Sequence, residues 1–311
     1  MSGQHGTRRG NVVASNVSAL RVAIGGMGEV RGPDESEEPI LGPVARAAIF
    51  EWLAEIRARD DLKSVGLKPR ATALLHGPPG CGKTTLAHHL AARLGVPLVM
   101  VGAEGLVTKY MGETAQKIAA LFDAIARTER PSILLLDEID ALGAKRSNHD
   151  SSASRDNNQA LTVLLRKVEG FQGMMIGATN LPEQLDTALW RRFAIHLGVD
   201  LPGPDERYAI LARYFAPFVV AEDDLDILTD ATDGASPALL RGLAEGVKRA
   251  MVLWPRLGRD LSSPVPVLRA VVASVRPPPE IPPPPLWGDA DAPEALAAMA
   301  WPLVMTAPAD A

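Results

Sequence analysis

A glycine-rich segment that ends in a lysine and a threonine is the part of the sequence whose spacing most directly implies chemistry. It follows the apolar run 71–76 and fits the pattern G-x-x-x-x-G-K-[ST]. Glycines let successive backbone N–H groups turn inward, and those donors, with the start of a helix, surround a polyphosphate. Lys83 would reach the outer phosphates, and the hydroxyl of Thr84 would ligate Mg²⁺. The predicted nucleotide-binding residues are Gly77, Pro78, Pro79, Gly80, Cys81, Gly82, Lys83, Thr84 and Thr85. The alternative is a tight strand-to-helix turn that merely needs glycine.

Two carboxylates end a second apolar run. Residues 133–136 are Ile-Leu-Leu-Leu, and Asp137 and Glu138 follow them. A buried parallel strand delivers the residues after its C-terminal end to the crevice where α/β sheets bind ligands. Asp137 could hold Mg²⁺ through its water shell, and Glu138 could polarise a water for attack on the γ-phosphate. The alternative is a strand that meets solvent with two ordinary charged residues.

Three further polar residues are candidates with open alternatives. Asn180 follows another predicted strand and could orient the attacking water, but an Asn shortly before Pro182 is also a common turn former. Arg191 and Arg192 could neutralise charge in the transition state of a neighbouring subunit's ATP. They could instead simply complement the dipole at a helix end.

These candidates need alternating strands and helices to position them. Apolar strands are predicted at 72–76, 97–101, 132–136, 174–179 and 195–200, and helices at 84–94, 113–128, 157–169 and 183–190. Near-continuous apolar strands separated by helices are typical of a parallel sheet covered on both faces. The sequence therefore predicts an α/β fold, a three-layer parallel-sheet domain followed by a small all-helical domain.

Four regions are predicted along the chain: a loose arm over 1–35, the α/β domain over 36–202, the helical domain over 203–254 and a Pro-rich tail over 255–311. Within the arm, residues 20–24 could form a short strand. The proline runs of the tail favour polyproline II, which cannot continue a core. A partner that binds this tail is one expectation.

Composition excludes several classes of protein. The 311 residues carry a net charge of -5, which gives no electrostatic footprint for nucleic acid. One cysteine allows no internal disulfide and favours a reducing compartment. No apolar run approaches the length of a membrane span, and the N-terminus has no apolar stretch typical of a secretory signal. A cytoplasmic protein without a membrane span is expected.

Taken together and in order, these motifs resemble AAA-type ATPases (ATPases associated with diverse activities) from about Ile40 to Met251. The segment 188–193, Ala-Leu-Trp-Arg-Arg-Phe, is most similar to the katanin–spastin branch and its bacterial relatives. The resemblance implies that Arg191 and Arg192 act in trans on the adjacent subunit's nucleotide, and that Gly42 lies near the adenine pocket. It departs from the family at His196, where relatives often have a third arginine, and at Pro237 and Leu239. No arginine occupies the usual lid position, and Arg241 is expected to be a surface residue.

The resemblance also covers Lys109, Tyr110 and Met111, where the family carries an aromatic central-pore loop. Large apolar groups in a solvated turn need a partner, although a tyrosine folded back on its own domain is the alternative. The implied function is an ATP- and Mg²⁺-dependent ATPase that forms a ring, a hexamer in the family, and threads a protein client past Tyr110. Two rival interpretations stay open: a nucleotide-gated scaffold that acts through the tail, and a nucleic-acid remodeller.

Overall fold

Six strands form the sheet at the centre of the first of two compact units. The computed structural model describes residues 4–108, 110, 112–144, 152–279 and 281–305. The first unit comprises the chain up to residue 39 together with 43–77 and 83–199. The second unit comprises 40–42, 78–82 and the chain from residue 200 onward.

The sheet of the first unit is parallel except at one edge. Its strands are β1 (Glu29–Arg31), β2 (Thr72–His76), β3 (Leu98–Gly102), β4 (Ile133–Asp137), β5 (Met174–Thr179) and β6 (Ile195–Gly198). Their order is β1-β3-β4-β5-β2-β6, and only β1 runs antiparallel to its neighbour. The register pairs His76 with Thr179 and Gly102 with Asp137. The C-terminal ends of the four central strands therefore lie together at one end of the sheet.

Helices cover this sheet. They are α1 (Gln4–Ile24), α2 (Pro43–Arg57), α3 (Arg59–Ser64), α4 (Lys83–Leu94), α5 (Glu113–Arg127), α6 (Asp140–Gly143), α7 (Ser152–Gly170) and α8 (Thr187–Trp190). On α5, Ile118, Leu121, Phe122 and Ile125 are buried in the core, because residues three and four apart share one face of a helix. The predicted α/β fold with its five parallel strands is confirmed. None of the described helices has both the length and the apolar composition that a bilayer span requires.

The N-terminal region differs from the loose arm expected from the sequence. Residues 4–24 form helix α1, and Val17, Leu20 and Ile24 belong to the core of the first unit. Their spacing of three and four residues is the helical period, which the neighbouring glycines and serines obscure in the sequence. The strand expected at 20–24 is instead the last turn of this helix.

The second unit is helical, and its core extends beyond the predicted helical domain. It contains α9 (Pro204–Phe215), α10 (Glu222–Ala231), α11 (Pro237–Leu253), α12 (Pro264–Ser274), α13 (Pro285–Gly288) and the antiparallel pair β7 (Phe218–Val219) and β8 (Val304–Met305). Val267, Leu268 and Leu286 share one core with α9–α11. The region expected to be a Pro-rich tail therefore contributes core residues, because apolar side chains on both sides of the proline runs are buried with α11.

Candidate nucleotide-binding site

The glycine-rich segment joins β2 to α4 as the sequence predicts. The backbone at Gly77 has φ +144°, and a Cβ there would lie 2.3 Å from the carbonyl oxygen of Val199. Only glycine meets both conditions without strain. Gly80 and Gly82 also have positive φ, and helix α4 begins at Lys83. The loop thus places the N-terminus of a helix after a strand end, an arrangement that favours anions.

Hydrogen bonds to carbonyl oxygens of the loop involve Lys83 in the first unit and Ala238 in the second. Lys83 is buried, and its Nζ donates to the carbonyl oxygen of Gly77 at 2.8 Å. This bond holds the ammonium group beside the first residue of the loop. Within the second unit, the N–H of Ala238 at the start of α11 donates to the carbonyl oxygen of Gly80 at 3.1 Å. The side chain of Cys81 is buried.

Thr84 and Asp137 are brought together from different elements. The Thr84 hydroxyl, in the first turn of α4, donates to Asp137 Oδ2 at the end of β4 at 2.7 Å. The N–H of Glu138 donates to the other carboxylate oxygen, Oδ1, at 3.1 Å. A hydroxyl and a carboxylate are hard oxygen ligands of the kind that Mg²⁺ prefers, and Mg²⁺ usually completes its shell with water and substrate phosphates. The donor set therefore fits Mg²⁺.

Glu138 is exposed and lies against another carboxyl group. A hydrogen bond with Glu104 raises the pKa of Glu138, and burial and repulsion from Glu104, Asp137 and Asp140 raise the pKa further. Glu104 lies in the turn directly after β3, the strand that pairs with β4. The pKa of Glu138 is thus moved toward neutrality, where a carboxylate is a stronger base.

Asn180 lies beside the loop because of strand register. It directly follows Thr179, the last residue of β5, which pairs with His76, the last residue of β2. Gly77 and Asn180 are therefore the first residues after two neighbouring strand ends. The Thr179 hydroxyl donates to Asp140 Oδ1 at 2.5 Å and accepts from the N–H of Leu181 at 3.0 Å. These bonds fix the backbone on both sides of Asn180.

Arg191 and Arg192 lie at the opposite end of β2 from the loop. Both are exposed at the end of α8, and Arg192 forms an ion pair with Glu169 at 3.2 Å. The carbonyl oxygen of Arg192 accepts from the hydroxyl of Thr72, the first residue of β2, at 3.1 Å. Strands rise about 3.3 Å per residue, so the five residues of β2 separate the backbone of Arg192 from Gly77 by about 15 Å.

The remaining candidates are spread over both units. Tyr110 has 73% of its surface exposed, and Lys109 and Met111 lie outside the described residues. Asp156 on α7 accepts from the N–H of Gly112 at 2.6 Å and so ties down the end of this turn. Gly42 belongs to the second unit, next to the carboxylate of Glu206. Arg241 is exposed and pairs with Glu245 at 2.8 Å.

Two carboxylates near these candidates were not identified from the sequence. Glu104 could have been found, because it follows a predicted strand at the same end of the sheet as Glu138. Glu169 has no such signal, because the contact with Arg192 joins residues 23 positions apart in different elements.

The comparisons with known proteins agree with this geometry. Residues 73–201 match the family model described as "ATPase family associated with various cellular activities (AAA)". The chain is 34% identical over 229 residues to the proteasome-activating nucleotidase of Methanothermobacter thermautotrophicus, covering 69% of this chain and 56% of that protein. It is 38% identical over 242 residues to the proteasome-activating nucleotidase of Pyrococcus abyssi, covering 76% and 56%. The match to that of Methanopyrus kandleri is 35% over 256 residues, covering 80% and 54%. The chain thus spans about half the length of the curated relatives it matches, and these relatives do not carry katanin or spastin names.

Proposed function

Residues 73–201 form an AAA ATPase domain, and from this premise we propose that the chain binds ATP with Mg²⁺ and hydrolyses it. The observation that carries the proposal is the contact between Thr84 and Asp137. This contact joins the phosphate-binding loop to the strand end that bears Glu138, so residues for binding and for proton transfer meet at one end of the sheet.

Each residue has a distinct role in the proposed reaction. The loop N–H groups and Lys83 bind the β- and γ-phosphates, and Thr84 and Asp137 hold the metal. Mg²⁺, when bound, would neutralise charge on the phosphate oxygens. Glu138 accepts a proton from the attacking water, for which its raised pKa suits it. Asn180, held beside the loop by the register of β5 and β2, orients that water.

The site is completed by a second copy of the chain. Arg191 and Arg192 are exposed, and the backbone of Arg192 lies about 15 Å along β2 from Gly77, which supports a role for both arginines at another protomer's nucleotide. An arginine supplied in trans is worth about 10³–10⁵ in rate in other phosphoryl-transfer enzymes. Copies that each offer arginines to the next close into a ring, and the resemblance to AAA proteins makes a hexamer the expected size.

The proposed client is a protein. The relatives' name describes a nucleotidase that activates a proteasome, a machine that acts on proteins. Tyr110 supports this proposal, because an aromatic side chain with 73% exposure in a short turn is available to grip an extended chain. The Tyr110→Ala variant is expected to keep its ATPase rate and to lose ATP-dependent unfolding of a tagged fluorescent protein. Equal unfolding by the two proteins would contradict a role in threading.

The branch of the family and the location of the protein are finer proposals. Membership of the katanin–spastin branch is carried by the motif 188–193 alone. A cytoplasmic location rests on the single cysteine. A nucleotide-gated scaffold acting through the tail is less favoured, because residues such as Val267 and Leu268 of that region belong to a core. Removing the tail would therefore disturb the second unit itself.

The Glu138→Gln variant tests hydrolysis directly. Glutamine has nearly the same shape but cannot accept the proton, so the steady-state ATPase rate should fall by about 100-fold or more. Binding of a fluorescent ATP analogue should be retained, because the loop and Lys83 are unchanged. The matched control is Glu183→Gln, an exposed glutamate outside the site, which should hydrolyse ATP at the wild-type rate. Chelation of Mg²⁺ should stop hydrolysis in the wild-type protein. A wild-type rate in Glu138→Gln would refute the proposal.

A further inference from the structure

Three aromatic rings of the first unit are in contact next to the two arginines. The indole of Trp190 stacks on the imidazole of His196, with ring centroids 4.2 Å apart and planes 16° apart. The same indole also contacts the imidazole of His76, with ring centroids 5.6 Å apart and planes tilted by 47°. His196 is exposed on β6, His76 is the last residue of β2, and Trp190 directly precedes Arg191.

A hydrogen bond accompanies the stack. Nε2 of His196 lies 3.0 Å from the carbonyl oxygen of Trp190. A carbonyl oxygen can only accept, so the proton of His196 in this contact is on Nε2. The same carbonyl accepts from the N–H of Phe193 at 3.2 Å, which uses its second lone pair. This carbonyl belongs to the peptide group that joins Trp190 to Arg191, so His196 holds the backbone from which the arginines project.

The turn that bears the arginines needs such support. Helix α8 has only four residues, Thr187–Trp190, and a single helical turn is marginal by itself. At its start, the carboxylate of Asp186 caps the N–H of Ala188 at 2.8 Å. His196 acts at the other end, where helix carbonyl groups lack partners within the helix.

We propose that His196 is a positioning residue for Arg191 and Arg192, acting through the stack on Trp190 and the hydrogen bond to the Trp190 carbonyl oxygen. The inference rests on the proposed function, because it assigns His196 to the arginines that a protomer offers to its neighbour. It predicts a directional effect: His196 matters in the protomer that donates arginines and not in the protomer that holds the ATP.

Mixed assemblies test this direction. Lys83→Ala chains cannot hold ATP but still offer arginines, and Arg191→Ala/Arg192→Ala chains hold ATP but offer none. Their mixture is expected to recover ATPase activity. Adding His196→Ala to the Lys83→Ala chain should lower the recovered rate by about tenfold or more, since small misplacements of catalytic groups have large effects. Adding it to the Arg191→Ala/Arg192→Ala chain should change the rate by less than about twofold.

Two further variants separate positioning from folding. His196→Phe keeps a ring against Trp190 but cannot donate a hydrogen bond. When this substitution is added to the Lys83→Ala chain, the recovered rate should be lower than with His196 intact and higher than with His196→Ala. Gln184→Ala, an exposed change near α8, should have no effect in the donor. The proposal is overturned if His196→Ala lowers the rate equally in both chains, as a general folding defect would, or leaves the donor unaffected. A parent mixture without recovery would overturn the shared site itself, and the role of His196 with it.

Discussion

Glu138 adopts a backbone conformation that non-glycine residues rarely use. Its φ is +52°, directly after the buried strand β4. Such a conformation costs on the order of 1–3 kcal/mol and persists only where the surroundings impose it. Here the N–H of Glu138 is bound by Asp137 Oδ1, and the N–H of Ile139 donates to the carbonyl oxygen of Ala178 at 2.9 Å. The strain is consistent with a carboxylate aimed at a reacting water.

A second residue-scale feature is an ion pair in the first unit that links stability to pH. Arg70 donates its N–H and its Nε to the two carboxylate oxygens of Glu55, at 2.7 and 2.8 Å. The hydrogen bond from the Arg70 side chain holds the pKa of Glu55 below its ordinary value. A lowered pKa in the folded state means that the unfolded chain binds the proton more tightly, so this contribution to stability is present at neutral pH and is lost as the pH falls through the pKa of the folded state.

The Glu55→Gln variant should therefore be less stable than wild type at neutral pH, by up to about 1 kcal/mol, the usual range for a partly exposed pair. The difference should shrink as the pH falls through the lowered pKa of Glu55, because the carboxyl group becomes protonated in the folded state as well. Urea denaturation at neutral pH and at a series of decreasing acid pH values measures the free energies of unfolding. Glu183→Gln, at an exposed glutamate, should show no such dependence. A difference that stays constant or grows in acid would contradict the account.

At the scale of elements, the five parallel strands could be predicted from the sequence, and the antiparallel edge strand β1 could not. Strands β2 to β6 are short apolar runs bounded by loop residues, a pattern typical of buried parallel strands. Strand β1 has three residues, of which only Val30 is buried, so its sequence shows no apolar run that would indicate a strand. Helix α12 lies in the region predicted as a Pro-rich tail, and its prolines at 264 and 266 lie in the first helical turn, where proline is well tolerated.

The site shows the same division. Residues defined by strand ends, such as Asp137, Glu138 and Asn180, could be placed from the sequence because parallel strands end at one side of the sheet. The contacts of Trp190 with His196 and His76 could not be predicted, because they depend on where α8 lies against β2 and β6. Spacing along the chain carries no information about such a contact.

Close packing between α11 and α12 gives a prediction at this scale. A Cβ on Gly246 would lie 2.6 Å from Cγ1 of Val271, which is buried and stiff. Gly246→Ala gains about 1 kcal/mol of helix propensity but forces overpacking that costs about 1–3 kcal/mol. The variant should therefore unfold at a lower temperature than wild type, by a few degrees.

The control for this substitution is Gly170→Ala at the end of α7. A Cβ there meets nothing within 4 Å, so the thermal unfolding midpoint should stay the same or rise. If Gly246→Ala raised the midpoint as much as Gly170→Ala, the close contact between α11 and α12 would not be the reason for the glycine.

At the scale of the whole molecule, the residues proposed to bind ATP lie apart from the two arginines proposed to act on it. The loop, Asp137 and Glu138 lie at one end of the parallel strands, and Arg191 and Arg192 lie at the other. In the proposed reaction, a single copy therefore has a phosphate-binding site that contains Lys83 but lacks Arg191 and Arg192. In this proposal, assembly of several copies brings the two sets of residues together, so oligomerisation is part of the proposed chemistry.

The most direct measurement of this claim is the ATPase rate of Lys83→Ala chains mixed with Arg191→Ala/Arg192→Ala chains. Each variant alone should be nearly inactive, since one cannot hold the triphosphate and the other cannot supply the cations. The account predicts that the mixture regains a clear fraction of the wild-type rate. A mixture that forms assemblies yet stays as inactive as its components would contradict it, as would full activity of Arg191→Ala/Arg192→Ala alone.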